Sequence, residues 1–386
     1  MNVQPVIDWL VEGAPPAKLP QDVLLEMCRR LGACGLALHR VAVFVRTLHP
    51  NVLGRSFIWQ ESRDAVEVNS AAYDLLESDQ FLKSPIRIVF QEHREVRRRV
   101  CDPDCPMDFP ILPDLRTEGV TDFLSLPLRF INGEVHAASF ATRAAGGFGD
   151  AQVVALRRVA TALTRIAEIY GHMRKARNLL DAYLGAQTGE KVLAGQIKRG
   201  DGEEIRAVIW FCDLRDSTPL ADSMSREAFL QLLNQYFECV LGPVQEHKGE
   251  ILRFIGDAAL AIFPIGNEPA AVACSKALDA AQEAVKRMAA LNTKREADGQ
   301  PKLRFGIGLH LGLVLYGNIG TPTRIEFTVI GAAANEAARI EGLCKTLKVA
   351  VAVSENVARH LPAGLRSLGR HALRGVGAPV EIFTPD

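Results

Sequence analysis

Arg324-Ile-Glu-Phe-Thr-Val-Ile-Gly-Ala-Ala-Ala-Asn-Glu-Ala-Ala-Arg-Ile-Glu341 runs from a strand pattern into a helix pattern across one glycine. Asn335 and Arg339 are four residues apart and so share one face of that helix. An amide there can fix a hydroxyl or ring oxygen, and a guanidinium can stabilise a charged phosphorus centre. The competing reading is an ordinary polar pair on a helix surface.

Upstream, Arg206-Ala-Val-Ile-Trp-Phe-Cys212 is a continuous apolar run suited to a buried strand. Phe229, Leu232, Tyr236, Val240 and Val244 make a helical stripe that Lys248-Gly249 ends, and Ala271, Cys274, Leu278, Ala281, Val285 and Met288 make a second. Glu250 to Phe263 is strand-like on both sides of Gly256-Asp257. Leu303 to Tyr316 and Val349 to Val353 read as further strands, with His310 a packed residue on the first and a helix from about Ala334 to Leu347 between them. The order strand, helix, hairpin, helix, strand predicts an α+β sandwich with helices on one face of a mainly antiparallel sheet. Asp213 stands where the buried strand emerges, and Asp257 stands at the hairpin turn. If the strand pairs with that hairpin, both carboxylates reach one edge of the sheet, an arrangement suited to Mg²⁺ or Mn²⁺. Otherwise Asp213 caps a helix and Asp257 makes a turn.

Phe211 to Thr218, Gly249 to Phe263 and Thr328 to Glu341 together resemble the catalytic motifs of class III nucleotidyl cyclases, in order and in internal spacing, over about residues 190–386. The resemblance implies a ferredoxin-like palm and a head-to-tail homodimer with active sites between protomers. It implies that Asp213 and Asp257 of one protomer hold two Mg²⁺ or Mn²⁺ ions, with the backbone carbonyl of Leu214 as a further ligand. Arg253 and Thr328 of the other would read the base, Asn335 would orient the ribose, and Arg339 would stabilise the transition state. Arg374 occupies a position where the family often has a lysine on the terminal phosphates. The implied reaction is attack of the ribose 3′-oxygen on the α-phosphorus, releasing pyrophosphate. Two departures stand out. Adenylate cyclases usually have Lys at the position of Arg253 and guanylate cyclases Glu, and Ala332 replaces a commonly polar residue. Arg253 only donates hydrogen bonds, which suits adenine N1, and the Thr328 hydroxyl can accept from the 6-amino group, so ATP is the expected substrate. A guanylate or dual-specificity cyclase is the enzymatic alternative, and a silent cyclase-like dimerisation module is the non-enzymatic one. The intact Asp213, Asp257, Asn335 and Arg339 speak against silence.

Residues 1–150 alternate helix and strand patterns, closing with Phe123 to Phe130, the turn dipeptide Asn132-Gly133, and Glu134 to Phe140. Pro127 in the first of these strands belongs on an edge or at a bulge. This order resembles a GAF-type sensor module, with a PAS-like module fitting almost as well. It serves either as a pocket for an unidentified small ligand or as a dimerisation domain without one. Residues 151–200 form a helical connector: Leu156, Leu163, Tyr170 and Leu184 alternate with Val159, Ile166, Met173 and Leu180 in heptads. That seam pairs two chains or packs one helix on the sensor domain. Residues 201–386 are the cyclase-like domain.

The chain of 386 residues carries 45 basic and 45 acidic side chains, which excludes a bulk nucleic-acid binder. The balance hides nine basic against three acidic residues in the connector. No apolar stretch is long enough to span a membrane, and the scattered eight cysteines suit reduced thiols, so a cytoplasmic protein is expected. Cys101-Asp-Pro-Asp-Cys105 lacks zinc-knuckle spacing and reads as a polar loop, and Arg94 with Arg97-Arg-Arg99 reads as a solvated helix face.

Overall fold

Alternating apolar residues at 40–60 and 122–142 build the first of two sheets in the computed structural model, which describes residues 1–362 and 364–385. The chain divides into two units, Met1–Ala182 and Tyr183–Asp386. In the first, α1 (Gln4–Val11) and α2 (Pro20–Ala33) precede β1 (Arg40–Arg46), β2 (Gly54–Gln60) and β3 (Val66–Ala71). Then come α3 (Asp79–Leu82), α4 (Pro85–Glu92), β4 (Val96–Arg98) and α5 (Ile111–Thr117), followed by β5 (Asp122–Arg129), β6 (Val135–Thr142) and α6 (Asp150–Leu184). The six strands lie in the order β3-β2-β1-β6-β5-β4, every neighbour antiparallel. Gly133, at φ +85°, turns β5 into β6. Pro127 pairs with Ala137 on β6, while β4 ends opposite Ser125, so its missing N–H lies beyond the β4 ladder.

One face of this sheet, with Val41, Val43, Leu124 and Phe140, packs against Leu10, Met27 and Leu31 of the first two helices and against α6. The other, with Phe44, Phe123, Ala137 and Ala141, packs against Val89 of α4 and Leu112 and Leu115 of α5. Leu156, Val159, Leu163 and Ile166 of α6 are buried in the first of these cores, whereas Met173 and Tyr183 are exposed. The connector therefore does not run free from residue 151: its first two heptads meet their own sheet. The Arg97–Arg99 cluster is no helix face either. Arg97 and Arg98 lie on β4, where Arg97 donates to the buried Asp122 at 2.7 Å and Arg98 to Asp108 at 3.0 Å.

The second unit contains α7 (Ala186–Leu193), β7 (Gly202–Leu214), α8 (Ser217–Asp222), α9 (Arg226–Glu246), β8 (Glu250–Ile255), β9 (Ala258–Pro264) and α10 (Ala270–Ala297). It continues through β10 (Phe305–Thr321), β11 (Arg324–Ile330), α11 (Ala332–Leu347), β12 (Val351–Ser354), α12 (Glu355–Ala358), β13 (Leu365–His371) and β14 (Val380–Pro385). Its sheet runs β13-β14-β12-β10-β7-β9-β8, with β11 paired to the far half of β10. Among the described residues only β10 and β12 pair in parallel. Val208, Trp210 and Cys212 of β7 pack with Tyr236 and Val240 of α9 and Cys274 and Ala281 of α10 on one face.

Helices cover both faces, contrary to the expectation of one. The α11 helix lies on the opposite face, over Gly306, Gly308 and Gly312 of β10. A Cβ on Gly308 would come within 2.4 Å of the Ala337 carbonyl oxygen, so only the missing side chains admit the helix. At the entrance to the unit, Gly185 (φ +83°) separates α6 from α7. The buried Glu250 carboxylate at the start of β8 accepts from Thr188 Oγ1 (2.6 Å), the Thr188 amide (3.1 Å) and Tyr316 Oη (2.7 Å). This ties α7 to β8 and β10. No helix among the described residues is long and apolar enough to cross a membrane.

Candidate active site

Asp213 is the penultimate residue of β7 and pairs with Ala258, the first residue of β9. Gly256, at φ +65°, allows the tight turn from β8, so Asp257 is delivered directly beside Asp213. Burial pushes the Asp213 carboxyl above its ordinary range, and the neighbouring Asp257 carboxylate pushes it further. Arg215 opposes both with Nη1 at 3.6 Å from Asp213. The same guanidinium pairs with the carboxylate of Glu341 on α11 and donates to its carbonyl oxygen at 3.0 Å. Glu341 is itself buried, which raises its pKa to about 7. Two carboxylates crowded together, one already drawn toward its neutral form, make a donor set that a divalent cation relieves. The adjoining Leu214 has its side chain buried beneath the site.

A second group forms where β8 approaches β11. Arg253 makes an ion pair with Glu326, and Thr328 lies two residues further along, on the same face of the strand. The Thr328 hydroxyl is buried and has no hydrogen-bond partner among the described residues. Such an orphan donor and acceptor is costly unless something else fills its valence. On α11, Asn335 is exposed and Arg339 half-buried. The Arg339 guanidinium lies against Gly375, in the loop between β13 and β14 that also carries the exposed Arg374; a Cβ on Gly375 would stand 3.6 Å from Nη1. His310 is more than packing: its Nδ1 meets Ser354 Oγ at 3.0 Å and its Nε2 meets Glu336 of α11 at 3.2 Å, locking the helix that carries Asn335.

The structure thus brings Asp213 to Asp257, Arg253 to the strand of Thr328, and Arg339 to the loop of Arg374. No hydrogen bond or ion pair among the described residues joins the carboxylate couple to Asn335 or Arg339. Sequence reasoning missed Glu326, Arg215 and Glu341; for Glu326 the period-two spacing from Thr328 was the available signal. Cys101 and Cys105 are free thiols, and no group of three or more His, Cys, Asp or Glu side chains converges among the described residues.

The family model of the adenylate and guanylate cyclase catalytic domain matches residues 203–382. An adenylate cyclase of Anabaena cylindrica is 34% identical over 165 residues, covering 43% of this chain and 32% of its own. The uncharacterised protein Rv1318c of Mycobacterium tuberculosis is 34% identical over 217 residues, covering 55% and 38%. The chain therefore spans about a third of the length of these curated relatives. Among solved structures, a bacterial light-regulated adenylyl cyclase aligns at TM-score 0.50 and 19% identity over 68% of this chain and 86% of that one, a likeness of fold. The adenylyl cyclase CyaB from P. aeruginosa aligns at TM-score 0.44 and 25% identity, over 48% of this chain and 96% of its own. The guanylyl cyclase Cya2 aligns at 0.42 and 26%, over 47% and 92%. The paired aspartates and the Asn335–Arg339 helix thus lie within residues 203–382, the segment that matches the family model of the adenylate and guanylate cyclase catalytic domain.

Proposed function

We propose that the protein is an adenylate cyclase that converts ATP to 3′,5′-cyclic AMP and pyrophosphate, at sites completed by a second copy of the chain and under control of the N-terminal unit. The Asp213–Asp257 couple carries this reading. These carboxylates, with the Leu214 carbonyl, would hold Mg²⁺ or Mn²⁺, which supplies activation of the 3′-hydroxyl and charge compensation for the triphosphate. Arg253 donates to adenine N1 and Thr328 accepts from the 6-amino group, satisfying its orphan hydroxyl. Asn335 orients the ribose, Arg339 offsets charge building on the α-phosphorus, and Arg374 meets the terminal phosphates. The bond from the 3′-oxygen to phosphorus forms as the bridging bond to the β-phosphate breaks, and the hydroxyl proton leaves to solvent.

Two observations support a homodimer. No hydrogen bond or ion pair among the described residues joins the carboxylate couple to Asn335 or Arg339, and the β8, β10 and β11 strands expose Phe254, Leu313, Leu315, Ile319 and Ile325. The N-terminal unit, with six antiparallel strands between helical layers, is consistent with a GAF-like sensor. A specific observation favours a second substrate. Glu326 beside Arg253 is an acceptor that can take the N1–H and 2-amino donors of guanine while Arg253 meets O6, so GTP also fits the pair. Incubation of the purified protein with ATP or GTP and Mn²⁺, with identification of the cyclic product, tests the assignment. Asp213→Ala and Asp257→Ala each abolish product while preserving the circular dichroism spectrum; appreciable residual cyclisation removes the carboxylates from the chemistry.

A further inference from the structure

The N-terminal unit contains a cavity of about 800 Å³ between its sheet and the helices α3 to α5. Its floor follows from strand pairing: Arg40, Ala42 and Phe44 of β1 share a face with Ser56 and Ile58 of β2 and Ser139 of β6. Phe44, Ile58, Phe81, Phe90 and Phe123 give it an apolar wall with four aromatic rings, and Ser56, Asn69, Ser78, Gln80 and Ser84 add neutral polar groups around it. At one end stands Arg40, which lines the cavity and makes no ion pair within 4.0 Å or side-chain hydrogen bond among the described residues. Glu118 and Glu67 act on it only through space, and burial lowers its affinity for its proton. Arg46, Asp74 and Asp114 also line the cavity but are exposed; Arg55 borders it too, but it pairs with Val45, in the register whose side chains leave from the opposite face of the sheet. The Ser139 hydroxyl, buried on the floor, has no side-chain hydrogen bond among the described residues.

The geometry points to a binding site for an amphipathic organic monoanion, a carboxylate on an aliphatic or aromatic body, with the carboxylate on Arg40 and the body between the phenylalanines. A single withdrawn guanidinium without a lysine or second arginine beside it matches one bidentate carboxylate and not a polyphosphate. The seven residues of β1 along the floor span roughly 20 Å, which leaves room for a chain of about a dozen carbons. Filling an apolar cavity of this size contributes affinity through burial, and the paired head group sets polarity and selectivity.

The test is calorimetric titration of the full-length protein with dodecanoate, dodecan-1-ol and dodecyltrimethylammonium, independent of any cyclase assay. The wild type binds dodecanoate at least tenfold more tightly than the alcohol, and the ammonium compound weakest. Arg40→Met loses that tenfold preference while still binding the alcohol, which reports that the unit is folded; Arg40→Lys restores part of it. Ser139→Phe fills the floor and removes binding of both. Absence of dodecanoate binding by the wild type, or a preference that survives Arg40→Met, overturns the proposal. Because the readout is binding to the N-terminal unit, its failure leaves the cyclase reading standing, and the reverse also holds.

Discussion

At the scale of single residues, Glu326 decides more than its position in a strand suggests. Its carboxylate is the partner of Arg253, so it both orients the guanidinium and adds an acceptor that adenine reading does not need. Glu326→Ala should lower kcat/KM for GTP by roughly tenfold relative to ATP, the worth of a charge-assisted hydrogen bond; parallel loss with both nucleotides shows that Glu326 merely orients Arg253. His136 makes a second residue-level prediction. It is fully buried, and burial holds its pKa down to about 4 from an ordinary 6.5. The unfolded chain therefore takes up a proton first as pH falls, and stability declines between about pH 6.5 and about 4, by roughly 3 kcal/mol at most. Urea denaturation of wild type and His136→Phe across that range checks it, the variant showing the flatter profile. The placing of Asp213 beside Asp257 and of Asn335 and Arg339 on one helix was legible because each residue lies in a short contiguous motif. The partnerships of Arg253 with Glu326 and of Arg215 with Glu341 were not, since they join residues 73 and 126 positions apart.

At the scale of elements, the glycines of β10 explain where α11 sits. A methyl at 308 would collide with the Ala337 carbonyl oxygen at 2.4 Å and the Glu341 amide at 2.5 Å, both backbone atoms that move only with the helix. Gly308→Ala should cost about 1–3 kcal/mol and displace Asn335, Arg339 and Glu341 together. Thermal unfolding and turnover should both fall, whereas a loss of stability at unchanged kcat would show that α11 tolerates the shift. Most strands and long helices could be read from their periods, including the hairpin that carries Asp257. The two-sided sheet could not, because a strand rich in Gly looks weak by propensity and its bare face is visible only once the helix is placed on it. The α6 heptads show the same limit from the other side. Period gives a seam but not its partner, and the structure spends Leu156 to Ile166 on the sheet of their own unit.

At the scale of the whole molecule, the proposed composite site predicts complementation. Asp213→Ala and Arg339→Ala chains, each inactive alone, should regain roughly a quarter of wild-type activity when co-refolded in equal amounts. Half of the dimers would then be mixed, each with one intact site of two. No recovery would mean that each chain needs its own aspartates and arginine. The Glu250 junction bears on how firmly α7 is held to the sheet of the second unit. A buried carboxylate with three donors has no satisfactory intermediate position: sliding Thr188 away strips two of them at once, and an unmatched buried charge is far more costly than a matched one. The α7 helix is thus held by bonds that are lost together, both Thr188 donors at once. The junction is built like a latch: the same three donors that neutralise Glu250 fasten α7 to β8, the strand that leads into the Asp257 turn.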